Sequence, residues 1–128
     1  MNQTRNAVAL LLEDEPLIAL DVEDALRSTG FDVVTVGSCT QADAWLLVNT
    51  PTVAVIDLEL VDGECRNAAE QLHRRGVPFI VHTGREKSPS TDGIFEHGHW
   101  LAKPAASDAL ALLSRALADA SRSDLATF

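Results

Sequence analysis

The sequence predicts an α/β fold in which a five-stranded parallel sheet is covered by helices on both faces. Short apolar runs alternate with amphipathic segments of helical length from one end of the chain to the other, which is the pattern of βα repeats. The run at residues 53–57 is apolar up to its last residue and rich in β-branched side chains, as in a strand buried on both faces. At 128 residues the chain has the size of one domain, which we expect to span residues 1–128.

Each element has its own signal in the sequence. Pro16 in the first turn and Gly30 just past the end bound the first helix, and Thr40 is the predicted N-cap of the second. The predicted strands are residues 7–12, 31–36, 53–57, 78–83 and 99–102, and the predicted helices are 16–28, 40–48, 64–75 and a last one from about Ser107.

The segment between the fourth and fifth strands is the weak repeat. Because it contains Pro89 and Gly93, we expect a mobile loop over residues 84–98 with at most a turn or two of helix. The architecture is therefore predicted to be flavodoxin-like, with its fourth helix short or disordered. The tail at 121–128 is expected to fray.

Charge and cysteine content limit the function classes. The formal net charge is −9 and the ten basic residues are scattered, which argues against a direct nucleic-acid partner. Cys39 and Cys65 form no C-x-x-C motif, so we expect no disulfide and predict that both pack as small apolar residues. Without a signal peptide or an apolar run near ~20 residues, a cytoplasmic protein without membrane segments is expected.

Polar side chains stand at the ends of four predicted strands. Glu13 and Asp14 follow the first strand, Asp57 ends the third, Thr83 ends the fourth and Lys103 follows the fifth. The carboxyl ends of parallel strands share one sheet edge, where ligands bind. A carboxylate can attack phosphorus when a divalent cation neutralises the crowded oxygens, and Mg²⁺ prefers such carboxylate ligands. The set predicts a phosphoryl-accepting site, although each residue alone has an ordinary structural explanation.

Four motifs resemble the receiver domains of two-component response regulators over essentially the whole chain. They are Leu-Leu-Glu-Asp-Glu-Pro at 11–16, Val-Ile-Asp-Leu-Glu-Leu at 55–60, His-Thr-Gly at 82–84 and Leu-Ala-Lys-Pro at 101–104. Residues 77–84 are also similar to the Pro-Phe-x-x-x-Thr-Gly run of FAT GUY single-domain receivers, with His82 at a position where that subgroup has a small residue.

The resemblance implies a role for each site residue. A sensor histidine kinase would donate its phosphoryl group to Asp57, in the manner of a phosphorelay. Mg²⁺ would be held by Glu13, Asp14, Asp57 and the carbonyl of Glu59. Lys103 and Thr83 would contact the phosphoryl oxygens.

Further positions follow from the same resemblance. Thr83 would be the switch residue and Trp100 the switch aromatic. The peptide before Pro104 would be cis, which aims the lysine into the site. Glu59 and Arg85 would pair across the mouth of the site and tune the lifetime of the acyl phosphate, with a coupling of only ~0.2–1 kcal/mol for an exposed pair.

The sequence is compatible with several functions. The favoured one is a stand-alone receiver that signals by phosphorylation-dependent contact with a downstream protein or by homodimerisation, and that is no enzyme beyond its own phosphorylation and dephosphorylation. A phosphate sink and an unphosphorylated pseudo-receiver are the alternatives. An FMN carrier and a haloacid-dehalogenase phosphatase fit less well, because Glu13-Asp14-Glu15 replaces a phosphate loop and Glu59 replaces a second Asp. A metal site at His97-Gly-His99 is disfavoured for want of partners.

Overall fold

A five-stranded, all-parallel sheet forms the centre of the computed structural model, which describes residues 6–84, 93–103 and 105–126, the side chains of 122–126 excepted. The strands are β1 (Ala7–Leu12), β2 (Phe31–Val36), β3 (Val53–Ile56), β4 (Phe79–Thr83) and β5 (His99–Ala102). Their order across the sheet is β2-β1-β3-β4-β5. This order reverses direction next to β1, and the predicted flavodoxin-like fold is confirmed.

Four α-helices connect the strands, namely α1 (Pro16–Ser28), α2 (Cys39–Leu46), α3 (Arg66–Arg74) and α4 (Ser107–Ala126). Helices α1 and α4 begin at the residues that the sequence predicted. Between β4 and β5 the described residues contain only a short 3-10 helix, Gly93–His97, as expected from the weak repeat. Residues 85–92 of the expected loop lie outside the described residues.

The start of α2 and the start of α3 differ from the prediction. Ser38 caps α2 by accepting a hydrogen bond from the Gln41 N–H at 3.1 Å, whereas Thr40 lies inside the first turn. Helix α3 starts at Arg66, two residues later than expected, because a tight bridge between Leu60 and Gly63 occupies the preceding loop. Turn chemistry, which periodicity does not detect, accounts for both differences.

Two apolar layers lie on opposite faces of the sheet because successive strand side chains point to opposite sides. Leu10 and Leu12 pack with residues of α2 and α3, whereas Ala9 and Leu11 pack with residues of α1 and α4. All four side chains are almost completely buried, and burying a large aliphatic side chain contributes roughly 1.5–3 kcal/mol. The layers hold the sheet rigid beneath its carboxyl edge.

A disulfide joins Cys39 to Cys65, with their Cα atoms 4.9 Å apart. The expectation of two unlinked cysteines was therefore wrong. Cys39 opens α2 after β2, and Cys65 precedes α3 at the end of the loop that follows β3. Both loops leave the same carboxyl edge of the sheet, which brings residues that are 26 positions apart in sequence into contact.

Candidate phosphoryl-accepting site at the carboxyl edge of the sheet

Main-chain hydrogen bonds fix the first residues beyond three strands. The N–H of Glu13 donates to the last residue of β2 at 3.0 Å, and the N–H of Asp57 donates to the last residue of β1 at 3.1 Å. The N–H of Lys103 likewise donates to the last residue of β4 at 2.9 Å. Sheet pairing thus continues one residue past each strand end, so these three side chains start from rigid backbone.

Lys103 bridges two buried carboxylates. Its Nζ lies 3.0 Å from Asp57 Oδ2 and 3.2 Å from Glu13 Oε1. The side chains of Glu13 and Asp57 are 1% and 7% exposed, and that of Lys103 is 21% exposed. Buried acids require such compensation, since an unpaired buried charge is strongly destabilising.

Each of the two carboxylates uses its second oxygen in the same way. Asp57 Oδ1 accepts a hydrogen bond from the Glu59 N–H at 2.9 Å, and Glu13 Oε2 accepts one from the Glu15 N–H at 3.2 Å. In both cases the donor lies two residues further along the chain. The orientation of both carboxylates is therefore fixed from two sides.

Asp14 completes an acidic group that suits a divalent cation. One carboxylate oxygen from each of Glu13, Asp14 and Asp57 lies within 4.8 Å of the others. Three carboxylates and the ammonium of Lys103 leave a formal charge of −2, and a hard cation such as Mg²⁺ prefers oxygen ligands of this kind. The residues present therefore fit the ion that the sequence predicted.

A cavity of about 420 Å³ lies above this group. It is lined by Asp14, Glu15, Asp57, Glu59, Gly84 and Lys103. Asp14 and Glu59 are exposed, whereas Asp57 is almost completely buried at the floor. A small anionic group can therefore approach Asp57 from the solvent side.

The electrostatics of the site appear in two pKa shifts. Burial raises the pKa of Glu13, and the charge of Asp57 adds to this, while the Glu15 N–H and Lys103 act in the opposite direction. Burial disfavours the Lys103 ammonium, but the hydrogen bond and charge of Asp57, aided by Glu13, outweigh it and raise the pKa of Lys103. The raised pKa keeps Lys103 protonated around neutral pH.

Thr83 and Trp100, the predicted switch residues, are not among the described residues that line the cavity. Thr83 ends β4, is 1% exposed and directly precedes Gly84 of the cavity wall. Trp100 in β5 is half-buried, and its indole N–H donates to the Phe95 carbonyl at 2.9 Å. The Glu59–Arg85 pair and the peptide before Pro104 stay predictions, because Arg85 and Pro104 lie outside the described residues.

The His97-Gly-His99 motif belongs to packing. The ring of His97 stacks on that of His73 with centroids 4.0 Å apart. A Cβ on Gly98 would lie 2.5 Å from the Phe79 ring, so only glycine fits. Among the residues that the structure describes, the clusters of three closely spaced metal-ligand side chains contain no histidine.

Sequence reasoning missed two residues next to the site. Asp62 Oδ1 accepts a hydrogen bond from the Cys39 N–H at 2.7 Å, and Oδ2 accepts two more from Thr40. The Cys39 N–H is the main reason that the pKa of Asp62 is lowered. A contact over more than 20 residues leaves no local pattern in the sequence.

His82 is the second residue that was missed. It is 5% exposed in β4, and its Nε2 is buried without a hydrogen-bond partner among the described residues. Burial chiefly, and the charge of Lys103 in addition, lower the pKa of His82 against a weaker opposing effect of Asp57. The sequence placed His82 in a strand but gave no sign that the charges of Lys103 and Asp57 act on the pKa of its imidazole.

Solved structures of receiver domains match this fold. A CheY-like response regulator receiver domain from Methanospirillum hungatei JF-1 has a TM-score of 0.80 at 20% identity, over 92% of this chain and 98% of that one. The receiver domain of the Francisella response regulator 1452 has a TM-score of 0.76 at 19% identity, over 90% and 98%.

A third similar structure contains a metal ion. It is the receiver domain of the sensor histidine kinase PA1611 from Pseudomonas aeruginosa PAO1, with magnesium coordinated in its active-site cleft. Its TM-score is 0.75 at 23% identity, over 90% of this chain and 99% of that one. No protein-family model and no curated protein matches the sequence.

The chain therefore has the receiver fold of two-component response regulators. Identities below 25% establish the fold, and the predicted resemblance is confirmed at that level. The similarity extends over nearly the full length of the receiver domains compared. No helix among the described residues is long and apolar enough to cross a bilayer.

Proposed function

We propose that this chain is a response regulator receiver that accepts a phosphoryl group on Asp57. The observation that carries the proposal is the position of Asp57, which lies at the floor of a solvent-facing cavity between Lys103 and the Glu13-Asp14 pair. A nucleophilic carboxylate, a cation and a metal-binding acidic group are the parts that phosphoryl transfer to an acid requires.

Asp57 acts as the nucleophile in this reaction. One of its oxygens attacks the phosphorus of a phosphohistidine, forming an O–P bond while the bond from phosphorus to the imidazole nitrogen breaks. The leaving imidazole retains the bonding electrons and takes up a proton. The Glu59 N–H, 2.9 Å from Asp57 Oδ1, keeps the carboxylate oriented during the attack.

Lys103 stabilises the charge that develops on the phosphoryl oxygens. Its ammonium lies 3.0 Å from Asp57 Oδ2, so it could also contact an oxygen of a phosphoryl group attached to Asp57. Fixed positive charge in a partly buried site needs little reorganisation during the reaction. The Thr83 hydroxyl would donate a hydrogen bond to another phosphoryl oxygen.

Glu13, Asp14, Asp57 and the carbonyl of Glu59 would hold Mg²⁺. When bound, the ion neutralises the carboxylates and the incoming phosphoryl oxygens, which otherwise repel one another. Glu13 is almost completely buried, whereas Asp14 is exposed and lines the cavity. These acidic residues would therefore promote the same phosphoryl transfer to Asp57 as Lys103.

Signal output would pass through Thr83 and Trp100. Movement of Thr83 toward the phosphoryl group would alter the end of β4 and leave space that Trp100 fills. The altered surface would bind a downstream protein or a second copy of the chain. Glu59 and Arg85 would tune the lifetime of the acyl phosphate, and the subgroup resemblance to FAT GUY receivers belongs to the same proposal.

The phosphodonor would be a sensor histidine kinase acting in the cytoplasm, where we also place this chain. A phosphate sink needs the same site and differs only in lacking an output partner. A pseudo-receiver would need no ordered nucleophile, and the held orientation of Asp57 therefore favours turnover. We assign no activity on external substrates beyond taking and losing the phosphoryl group.

Intact mass spectrometry after incubation with acetyl phosphate and Mg²⁺ tests the proposal. The wild type should gain the mass of one phosphoryl group and lose it at alkaline pH. Asp57→Asn should gain nothing, whereas Asp24→Asn, an acid-to-amide change at an exposed position of α1, should behave as the wild type. The proposal would be contradicted if the wild type gained no phosphoryl group from acetyl phosphate and none from a phosphorylated histidine-kinase domain.

A further inference from the structure

We propose that Cys39 and Cys65 form a reversible thiol–disulfide pair that controls the order of the loop between Asp57 and α3. This loop, residues 58–65, joins the candidate phosphoacceptor to the cysteine that precedes α3. Resting on the proposed function, we further infer that the redox state of the pair sets the rate at which Asp57 is phosphorylated.

The loop is attached to the start of α2 by two neighbouring links. One is the disulfide, and the other is Asp62, whose carboxylate accepts hydrogen bonds from the N–H groups of Cys39 and Thr40 at 2.7 and 3.1 Å. Asp62 is exposed, so its hydrogen bonds compete with water and hold the loop less firmly than a covalent bond. After reduction of the disulfide, only the hydrogen bonds of Asp62 would attach the loop to the start of α2.

Leu58 and Leu60 anchor the Asp57 end of the loop in the apolar layer, whereas its Cys65 end is held by the disulfide. Leu60 and Gly63 exchange two main-chain hydrogen bonds at 3.2 and 3.1 Å. Cys65 has a φ of 62°, in the left-handed region that residues with a Cβ seldom adopt. Without the disulfide, the backbone at Cys65 can leave this conformation, and the loop can reorganise toward its other end.

The other end of the loop reaches the candidate site directly. The Glu59 N–H donates to Asp57 Oδ1, and Glu59 lines the cavity. Residues 59 and 65 are only six positions apart, and the Leu60–Gly63 bridge spans most of that distance. We therefore expect a change of backbone conformation at Cys65 to shift this short turn and, with it, the Glu59 N–H that orients the nucleophile.

The two cysteines differ in exposure, and this difference favours one order of thiol–disulfide exchange. Cys39 is half-buried, whereas Cys65 is 6% exposed and packs in the apolar layer beside α3. A thiolate of a dithiol reductant would attack the Cys39 sulfur. The S–S bond breaks, its electron pair leaves on Cys65 sulfur, and that sulfur takes up a proton.

The second thiol of the reductant completes the reaction. As a thiolate it attacks the mixed disulfide, releases Cys39 as a thiol after protonation, and leaves the reductant as its own disulfide. In total two electrons and two protons pass to the protein. Oxidised glutathione, or another disulfide, reverses the sequence. In reducing compartments, disulfides of this kind are usually transient and regulatory.

Single-cysteine variants test the chemistry without any phosphorylation. With oxidised glutathione, Cys65→Ser retains the accessible Cys39 and should form the glutathione mixed disulfide quickly. Cys39→Ser retains the buried Cys65 and should react many-fold more slowly under the same conditions. Equal rates in the two folded variants would overturn the assigned order of attack.

Hydrogen–deuterium exchange tests the control of the loop. Dithiothreitol should speed exchange in peptides covering residues 58–65 of the wild type, while peptides from α1 and α4 serve as internal controls. In the Cys39→Ser/Cys65→Ser variant the loop should already exchange quickly, and the dithiol should have no effect. A pair that is reduced only on global unfolding, or equal loop exchange in both redox states, would overturn the proposal.

Phosphorylation by acetyl phosphate, measured on both redox states of the wild type, completes the test. The oxidised protein should react several-fold faster, because a better-oriented nucleophile lowers the barrier. Equal non-zero rates would overturn the control of phosphorylation. No phosphorylation in either state would instead overturn the proposed function, and loop exchange would then decide the redox proposal alone.

Discussion

Lys103 Nζ lies 3.0 Å from Asp57 Oδ2, although 46 residues separate the two in sequence. The same ammonium lies 3.2 Å from Glu13 Oε1, so that one lysine compensates two buried carboxylates. Their remaining oxygens are held by main-chain N–H groups two residues further along. The site is thus preorganised around Lys103, and phosphoryl transfer should depend on it more than on any exposed charge.

Replacing Lys103 tests this dependence. Lys103→Met should slow phosphorylation of Asp57 by acetyl phosphate about 10²-fold, since a preorganised charge at the reacting group is removed. The same change should raise Mg²⁺ affinity several-fold, because the ammonium no longer neutralises Glu13 and Asp57. Phosphorylation kinetics and calorimetric Mg²⁺ titration measure the two effects. An unchanged rate, or weaker Mg²⁺ binding, would contradict this assignment; Lys103→Arg, which keeps the charge, is the control.

His82 should make stability pH-dependent. Its pKa is lowered in the folded protein from about 6.5, so the unfolded chain binds more protons below that value. The free energy of unfolding should therefore fall as the pH drops below about 6.5, and the loss should stop below the folded pKa. Urea denaturation between pH 8 and pH 5 measures it.

The His82→Val variant provides the comparison. The difference between the stability of the wild type and that of the variant should be constant above about pH 7.5 and should shift against the wild type at lower pH. Among the described residues, Lys103 and Asp57 act on His82 through their charges, and Asp21 lines the adjoining cavity. If the difference in the free energy of unfolding stays constant from pH 8 to pH 5, His82 has the same pKa in the folded and unfolded states.

Trp100 should report the phosphorylated state. Its N–H must leave the Phe95 carbonyl if the ring changes rotamer, so its emission should change when beryllofluoride and Mg²⁺ bind. Trp45 is the second tryptophan, and Trp45→Phe leaves Trp100 as the sole reporter. A spectrum unaffected by beryllofluoride, in a protein shown by calorimetry to bind it, would show that Trp100 is ordinary core.

The disulfide should contribute substantially to stability. For two residues 26 positions apart, the loss of chain entropy in the unfolded state predicts about 3.5 kcal/mol. Guanidinium denaturation of the oxidised wild type and of Cys39→Ser measures the difference in the free energy of unfolding. The reduced wild type should match the variant. Equal stability of the oxidised and reduced wild type would show that the disulfide does not restrict the unfolded chain as predicted.

Most of the fold could be predicted because its determinants are local. Pro16 opens α1, Ser107 opens α4, and the continuous apolar run of β3 identified a central strand. The positions of Asp57 and Lys103 also followed, since residues just past parallel strands must share one edge. Element starts set by loop chemistry, such as Ser38 and Arg66, were not predicted.

Contacts between distant loops could not be predicted from the sequence. The Cys39–Cys65 bond and the Asp62 cap of α2 both join the loop after β2 to the loop after β3. Neither has a spacing that periodicity or a short motif would reveal. The strand register that brings the loops together is fixed by packing of the whole sheet.

Locating the phosphoryl group by borohydride reduction tests the central claim most directly. The acyl phosphate of an aspartate is reduced to homoserine, which peptide sequencing by mass spectrometry assigns to one position. After incubation with acetyl phosphate and Mg²⁺, the homoserine should appear at Asp57 alone and should be absent without Mg²⁺. Homoserine at Asp14, or at no position in a protein that carries the phosphoryl mass, would contradict Asp57 as the acceptor.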